Sequence, residues 1–177
     1  MKYVIYFFII IILAGVNFGV FPTLSFYGVL PNLLLILLVT VSLSKAKPEL
    51  SFFVAFIGGL ILDFSSGIFF GSFTITFLCL ALILELITKN FLVIDIDWKY
   101  QIIIFILVLI LANLLLYGFS LLAFYLHWVK EKADFTPLKG TLLPFLAYNL
   151  LLFYTIKRLV VAFNFLEQKY LNKKDFI

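Results

Sequence analysis

The sequence predicts an all-α integral membrane protein in which about six transmembrane helices form one bundle, and three observations predict it. First, 65% of the 177 residues are hydrophobic and only 12% are charged, with a mean hydropathy of +1.22. A soluble domain is about 45–50% apolar and about 25% charged. One core of this size cannot bury the surplus, so the surplus faces lipid. Second, the apolar residues gather into runs near the length, roughly 20 residues, that a hydrocarbon core about 30 Å thick requires. Third, short turn-forming or basic segments separate those runs. The chain length suits one bundle over residues 1–156 and a cytoplasmic basic, amphipathic tail over 157–177.

The first span is expected from Val4 to Phe21. It follows Lys2 like a signal sequence, but its apolar run exceeds the usual core of about 7–15 residues and no Ala-x-Ala site follows. It reads as a retained helix. The second span is expected from Tyr27 to Ser44, with Pro31 in or near its first turn, where a missing N–H costs least. Residues Leu50 to Thr88 are too many for one span, and Ser65-Ser66-Gly67 supplies a turn. This gives a third span from Leu50 to Phe64 and a fourth from Ile68 to Thr88. The fifth, Gln101 to Leu126, is long enough to tilt, and Trp98, Tyr100, Tyr125 and Trp128 flank it as an aromatic belt. The sixth runs from Leu138 to Ile156 with Pro144 near its start. Beyond it, Leu159, Phe163, Leu166 and Tyr170 recur at helical spacing among Lys157, Arg158, Glu167, Lys169, Lys173 and Lys174. That pattern predicts either an amphipathic helix on the inner leaflet, with cations toward anionic lipid, or a partner-binding helix, and sequence alone does not separate the two.

The basic residues set the orientation. With six spans and a cytoplasmic N-terminus, Lys2, Lys45, Lys47, Lys89, Lys99, Lys157, Arg158, Lys169, Lys173 and Lys174 lie inside. Only Lys130, Lys132 and Lys139 lie outside. The bias of 10 among 13 follows the positive-inside rule and places both termini in the cytoplasm. The same explanation accounts for the net charge of +4 and the pI near 9.1 without nucleic-acid binding.

Ionisable groups inside a bilayer are costly and are candidate functional groups by default. Asp63 closes the third span in Gly58-Gly59-Leu60-Ile61-Leu62-Asp63-Phe64-Ser65-Ser66-Gly67. It reads as a turn or capping residue near the outer surface whose shape, more than its charge, is needed, the alternative being a polar contact to a partner or to a ligand; on the first reading asparagine is expected to replace it. Glu85 and Lys89 share a helical face at spacing i, i+4 and are expected to pair. His127 is the single histidine and reads as an interfacial polar residue, and Cys79, the single cysteine, as a small packing residue. Gly15 and Gly19 form a Gly-x-x-x-Gly face suited to close helix packing. Asn17, Asn113 and Asn149 are expected to be hydrogen-bond donors between helices. There is no HExxH, P-loop or GxSxG motif. The expectation is a protein that is not an enzyme, with no cofactor and no metal.

Pro31-Asn32 opens an apolar run that ends at the basic loop of Lys45 and Lys47. The Gly58-Gly59…Asp63…Ser66-Gly67 segment follows, and then Phe70-Gly71 before the next helix. Together these resemble the MreD family of rod shape-determining proteins, over about a third of the chain, residues 31–90. Asn32 stands where many members carry aspartate, and the last two helices match only in hydropathy. The resemblance implies a bacterial inner-membrane subunit that joins MreC-like protein to cell elongation, linking the MreB cytoskeleton to peptidoglycan synthesis. It implies no catalytic residue. MreD proteins resemble in fold the substrate-binding S components of energy-coupling-factor vitamin transporters, which makes an S component the alternative. Those carry an Ala-x-x-x-Ala face on the first helix, where this chain has Gly15 and Gly19, and they need polar groups gathered beneath outer loops.

Overall fold

The computed structural model of the chain describes residues 2–25, 29–44, 48–66, 69–91, 98–129 and 142–171. Gly67, Tyr27, Ile68, Leu138, Lys45, Lys47, the three outer-loop lysines and the end of the basic tail lie outside them. Among the described residues there are six α-helices: α1 (Lys2–Gly19), α2 (Leu33–Leu43), α3 (Pro48–Ser66), α4 (Ser72–Phe91), α5 (Trp98–Tyr125) and α6 (Leu142–Leu171). A single 3-10 turn, Phe21–Leu24, follows α1. The described residues contain no strand, and the protein is an all-α membrane protein.

Four of the six helices are long and apolar enough to cross a bilayer, the spans being Pro48–Ser66, Ser72–Lys89, Trp98–Tyr125 and Leu143–Phe163. The expected second span is corrected most. Tyr27–Ser44 shrinks to the 11 residues Leu33–Leu43. The reason is local. The ring of Pro31 drives Leu30 out of the helical region, and Asn32 adopts non-helical angles (φ −109°, ψ 89°) as the N-cap. Pro31 therefore precedes the helix instead of lying in its first turn. An 11-residue helix is about 17 Å long. The non-helical residues 29–32 reach at most about 13 Å further. Together they reach at most about 30 Å, the thickness of a hydrocarbon core.

Every residue of α2 is buried. It packs against α1, α3, α4, α5 and α6, which run around it in that order. Irregular backbone at membrane depth is tolerated only where protein surrounds it, and here protein does. Water expulsion does not drive helices together in lipid, so close packing and internal hydrogen bonds must hold α2. Leu80, Leu84, Phe105, Leu109 and Val54 of the surrounding helices are wholly buried in the same core. Two buried hydroxyls return to their own helices: Thr40 Oγ1 donates to the Ile36 carbonyl and Thr76 Oγ1 to that of Ser72, both at 2.7 Å.

The other boundaries also move for identifiable reasons. The fourth helix begins at Ser72, not Ile68, because Gly71 sits at φ +97° and cannot be helical. The fifth starts early enough to include Trp98 and Tyr100, which lie exposed in its first turn instead of outside it. The sixth continues unbroken through Ile156, so the expected domain boundary at 156/157 falls inside one 30-residue helix.

Candidate functional site

Most of the buried polar residues gather at two helix starts, both in the half of the bundle where α1, α3 and α5 end; Thr40, Ser42 and Ser51 lie toward the end of α2 and the start of α3. The first is the start of α2. A helix leaves its first N–H groups without partners, and in lipid depth no water supplies them. Leu34 at this start lies beside the middle of α3, 3.7 Å from where a Cβ on Gly58 would stand. Three asparagines from three helices serve the orphan groups. The N–H of Asn32 donates to Asn149 Oδ1 of α6 at 2.9 Å. That of Leu33 donates to Asn17 Oδ1 of α1 at 3.2 Å. That of Leu35 donates to Asn32 Oδ1 at 3.0 Å, the N-cap bond. Asn149 is wholly buried and its amide donates to the Phe145 carbonyl at 2.8 Å, which fixes which end faces Asn32.

The second is the start of α4. Asp63, 4% exposed on α3, accepts from the N–H of Phe73 at 2.8 Å through Oδ1 and from that of Thr74 at 3.0 Å through Oδ2. The Thr74 hydroxyl donates to the same Oδ2. A carboxylate on the positive end of a helix is doubly favoured, by charge-assisted hydrogen bonds and by the helix dipole. Two glycines make the contact possible. A Cβ at Gly59 would fall 2.5 Å from the Thr74 Cα, so α3 and α4 touch backbone to backbone there. Gly71 supplies the positive φ of the turn. Gly58 is less constrained, with nothing closer than 3.7 Å to its Cβ direction. Ser72 Oγ donates to the Phe69 carbonyl at 2.7 Å, and Ser66 lies half-buried at the end of α3. Asp63 therefore caps the next helix instead of a turn at its own, and both oxygens are used. This corrects the expectation that asparagine would replace it, because an amide has only one acceptor oxygen.

Other expected residues fall elsewhere. No described atom lies within 4 Å of a Cβ built at Gly15 or Gly19, so helix packing at that face is not made by the described residues. Glu85 is half-buried and Lys89 exposed, and the pair does not close as an ion pair. Among the described residues Asn113 bonds within its own helix, to the Leu109 carbonyl at 2.8 Å, and Asn17 and Asn149 serve between helices as acceptors instead of the donors expected. His127 has a structural task that the sequence did not reveal. It occupies the left-handed region (φ 59°) just past α5, with its N–H on the Phe124 carbonyl and that of Trp128 on the Ala123 carbonyl. This is a Schellman C-cap with histidine in the usual glycine place. Trp128 then stacks on Phe69, centroids 5.4 Å apart, which ties the end of α5 to the start of α4. Cys79 is a half-buried free thiol.

The missed residues were Thr74 and the pairing of Asn149 with Asn32. A threonine after Gly71-Ser72 offered a weak signal for the first. None existed for the second, since 117 residues separate the partners. Among the described residues no group of three or more His, Cys, Asp or Glu stands close enough to hold a metal ion. The buried polar side chains here chiefly supply acceptors to helix starts. No family model, curated protein or solved structure matches the chain.

Proposed function

We propose that this protein is a non-catalytic integral membrane adaptor of the bacterial cell-elongation machinery, of the MreD kind, held in the cytoplasmic membrane with both termini in the cytoplasm. One observation supports the reading most. Four of the residues that carry the MreD resemblance set the start of α2 and the junction of α3 with α4. Asn32 caps α2, Gly59 allows the backbone contact of α3 with α4, Asp63 caps α4 and Gly71 makes the turn between them. A sequence pattern invested in a rigid helix frame suits a protein that presents surfaces to partners. The side-chain oxygens of Asn17, Asn32, Asn149 and Asp63 are occupied by backbone N–H groups, whereas a vitamin-binding S component needs polar groups turned toward a ligand. The partners then include an MreC-like protein and other elongation-complex membrane proteins.

Depletion in a rod-shaped host tests the proposal. An adaptor of elongation predicts widening and rounding that no vitamin supplement reverses, and mild-detergent purification recovers MreC-like and cell-wall synthesis proteins. Cells that keep their shape, with growth restored by one added vitamin and transporter ATPases recovered instead, would overturn it in favour of the S component.

A further inference from the structure

Of the three asparagines expected to join helices, Asn17 and Asn149 give their oxygens to the start of α2, and Asn113 is left over. Asn113 lies 15 residues after Trp98 and 12 before Tyr125, so about 18 Å or more separates it from either end of α5. That helix is one of the spans, so its middle lies in the hydrocarbon, where water supplies no hydrogen bonds. The amide nitrogen donates to the Leu109 carbonyl, and among the described residues nothing donates to the amide oxygen. Nor is that oxygen sealed inside the protein: the side-chain polar atom enclosed without a partner among the described residues is Ser42 Oγ. The Asn113 oxygen therefore opens at the surface of α5, at a depth where an unmet acceptor is costly.

The residues around Asn113 have the spacing of a helix seam. Ile103, Ile106, Ile110, Asn113, Tyr117 and Ser120 recur at alternating steps of three and four, which keeps one stripe turned toward a partner helix. Ile103 is exposed and the other five are half-buried. Ile106 and Ile110 neither belong to the hydrophobic core nor pack against it, whereas Ile104, Leu111 and Leu115, round the other side of α5, do. The fold thus leaves three β-branched residues and an open amide together on one stripe. Apolar residues need no protein neighbour in lipid, but the amide does.

We propose that this stripe is the contact between two copies of the chain, α5 against α5, with the two Asn113 amides bonded to each other across the axis. The amide itself selects the occupant. Copies of one chain insert into the membrane the same way round, so a pair has its two-fold axis along the membrane normal. The two α5 helices then run parallel, and equal residues meet at equal depth. Another membrane protein would have to carry a polar side chain at that one level, whereas a second copy always does. An asparagine amide is both donor and acceptor, so the oxygen of one takes the remaining N–H of the other. Each nitrogen keeps its bond to its own Leu109 carbonyl. A single asparagine in an apolar seam also fixes the register of the pair. The contact rests on the membrane crossing of α5 and is independent of the adaptor reading.

The test counts copies of the full chain, fluorescently tagged at one terminus, by stepwise photobleaching in liposomes of increasing lipid-to-protein ratio. The wild type should form pairs. Interhelical hydrogen bonds in membranes change association roughly 3–30-fold, and Asn113→Leu should weaken pairing by that factor. Gly15→Ile, on the exposed face of α1, should leave pairing unchanged. A second measurement keeps Asn113 and so covers the case in which Asn113→Leu does not fold. In a Cys79→Ser background, mild oxidation should join copies carrying Ile110→Cys. It should not join copies carrying Leu122→Cys, which is exposed nine residues from Asn113 and so on the opposite side of α5. Single copies of the wild type at every ratio would overturn the contact, as would pairing that Asn113→Leu leaves intact. Loss of pairing in Gly15→Ile alone would overturn it in favour of α1, and equal cross-linking at Ile110 and Leu122 would reduce it to chance collision.

Discussion

Replacing Asp63 by asparagine isolates the electrostatic part of the α3–α4 junction. The side chain keeps its size, so no cavity forms. The carboxylate accepts the Phe73 N–H on one oxygen and the Thr74 N–H on the other, at 2.8 and 3.0 Å. Asparagine can present its oxygen to only one of them. Whichever way the amide turns, its NH₂ group faces a backbone N–H that has no other partner. A hydrogen bond to a charged group contributes about 1.5–3 kcal/mol, and leaving a buried donor unmet costs a similar amount. The negative charge at the helix start adds about 0.3–1 kcal/mol. These overlap, and the expected loss is about 2–4 kcal/mol, or roughly 4–16 °C in Tm for a chain of this size. Cys79, half-buried and the single cysteine, provides the assay: a thiol-reactive dye reports unfolding as the detergent-solubilised protein is heated. Asp63→Ala, which removes both acceptors, should melt lower still. If Asp63→Asn melted within about 0.5 kcal/mol of the wild type, the carboxylate would not be capping α4 and this account of the junction would be wrong.

The neighbouring glycines should separate sharply: Gly59→Ala pushes a Cβ into the Thr74 backbone and should cost about 1–3 kcal/mol or more, while Gly58→Ala, with 3.7 Å of clearance, should be near neutral in the same melting assay. Asn149→Leu strands the Asn32 N–H and should lower stability by about 1–3 kcal/mol, whereas Asn113→Leu, which loses only a bond within its own helix, should cost much less. His127→Gly relieves a left-handed residue and should raise stability by up to about 1 kcal/mol, while His127→Val should lower it; a destabilised glycine variant would show that the imidazole itself is needed. For orientation, in a Cys79→Ser background, cysteines at Lys45 and Lys173 should resist an impermeant thiol reagent in spheroplasts and one at Lys132 should react; labelling of Lys173 from outside would refute the even number of crossings.

Composition and run length by themselves determined that the chain is an all-α membrane protein. Backbone groups in lipid must be satisfied within the segment, which leaves helices for runs as apolar as these. Turn chemistry located the breaks near Ser65-Ser66 and after Ser44 to within a few residues. The Gly58–Gly71 segment could be singled out because aspartate and clustered glycines are conspicuous in an apolar run. What each of those residues does was decided by tertiary structure. Asp63 caps a helix other than its own, because the backbone contact at Gly59 brings Phe73 and Thr74 beneath its carboxylate. The length of α2 could not be read from hydropathy, since a buried half-helix and a lipid-facing span are equally apolar. Pro31-Asn32 marked its start only once Asn17 and Asn149 were seen to receive the N–H groups set free there. The Gly15–Gly19 face shows the reverse: small residues state that close approach is possible, but only the arrangement of neighbours decides whether it occurs, and among the described residues it does not. A sequence records what each residue can satisfy locally. Which distant backbone group comes to depend on it is settled by packing, because helix starts at membrane depth take their acceptors from whichever helices lie beside them.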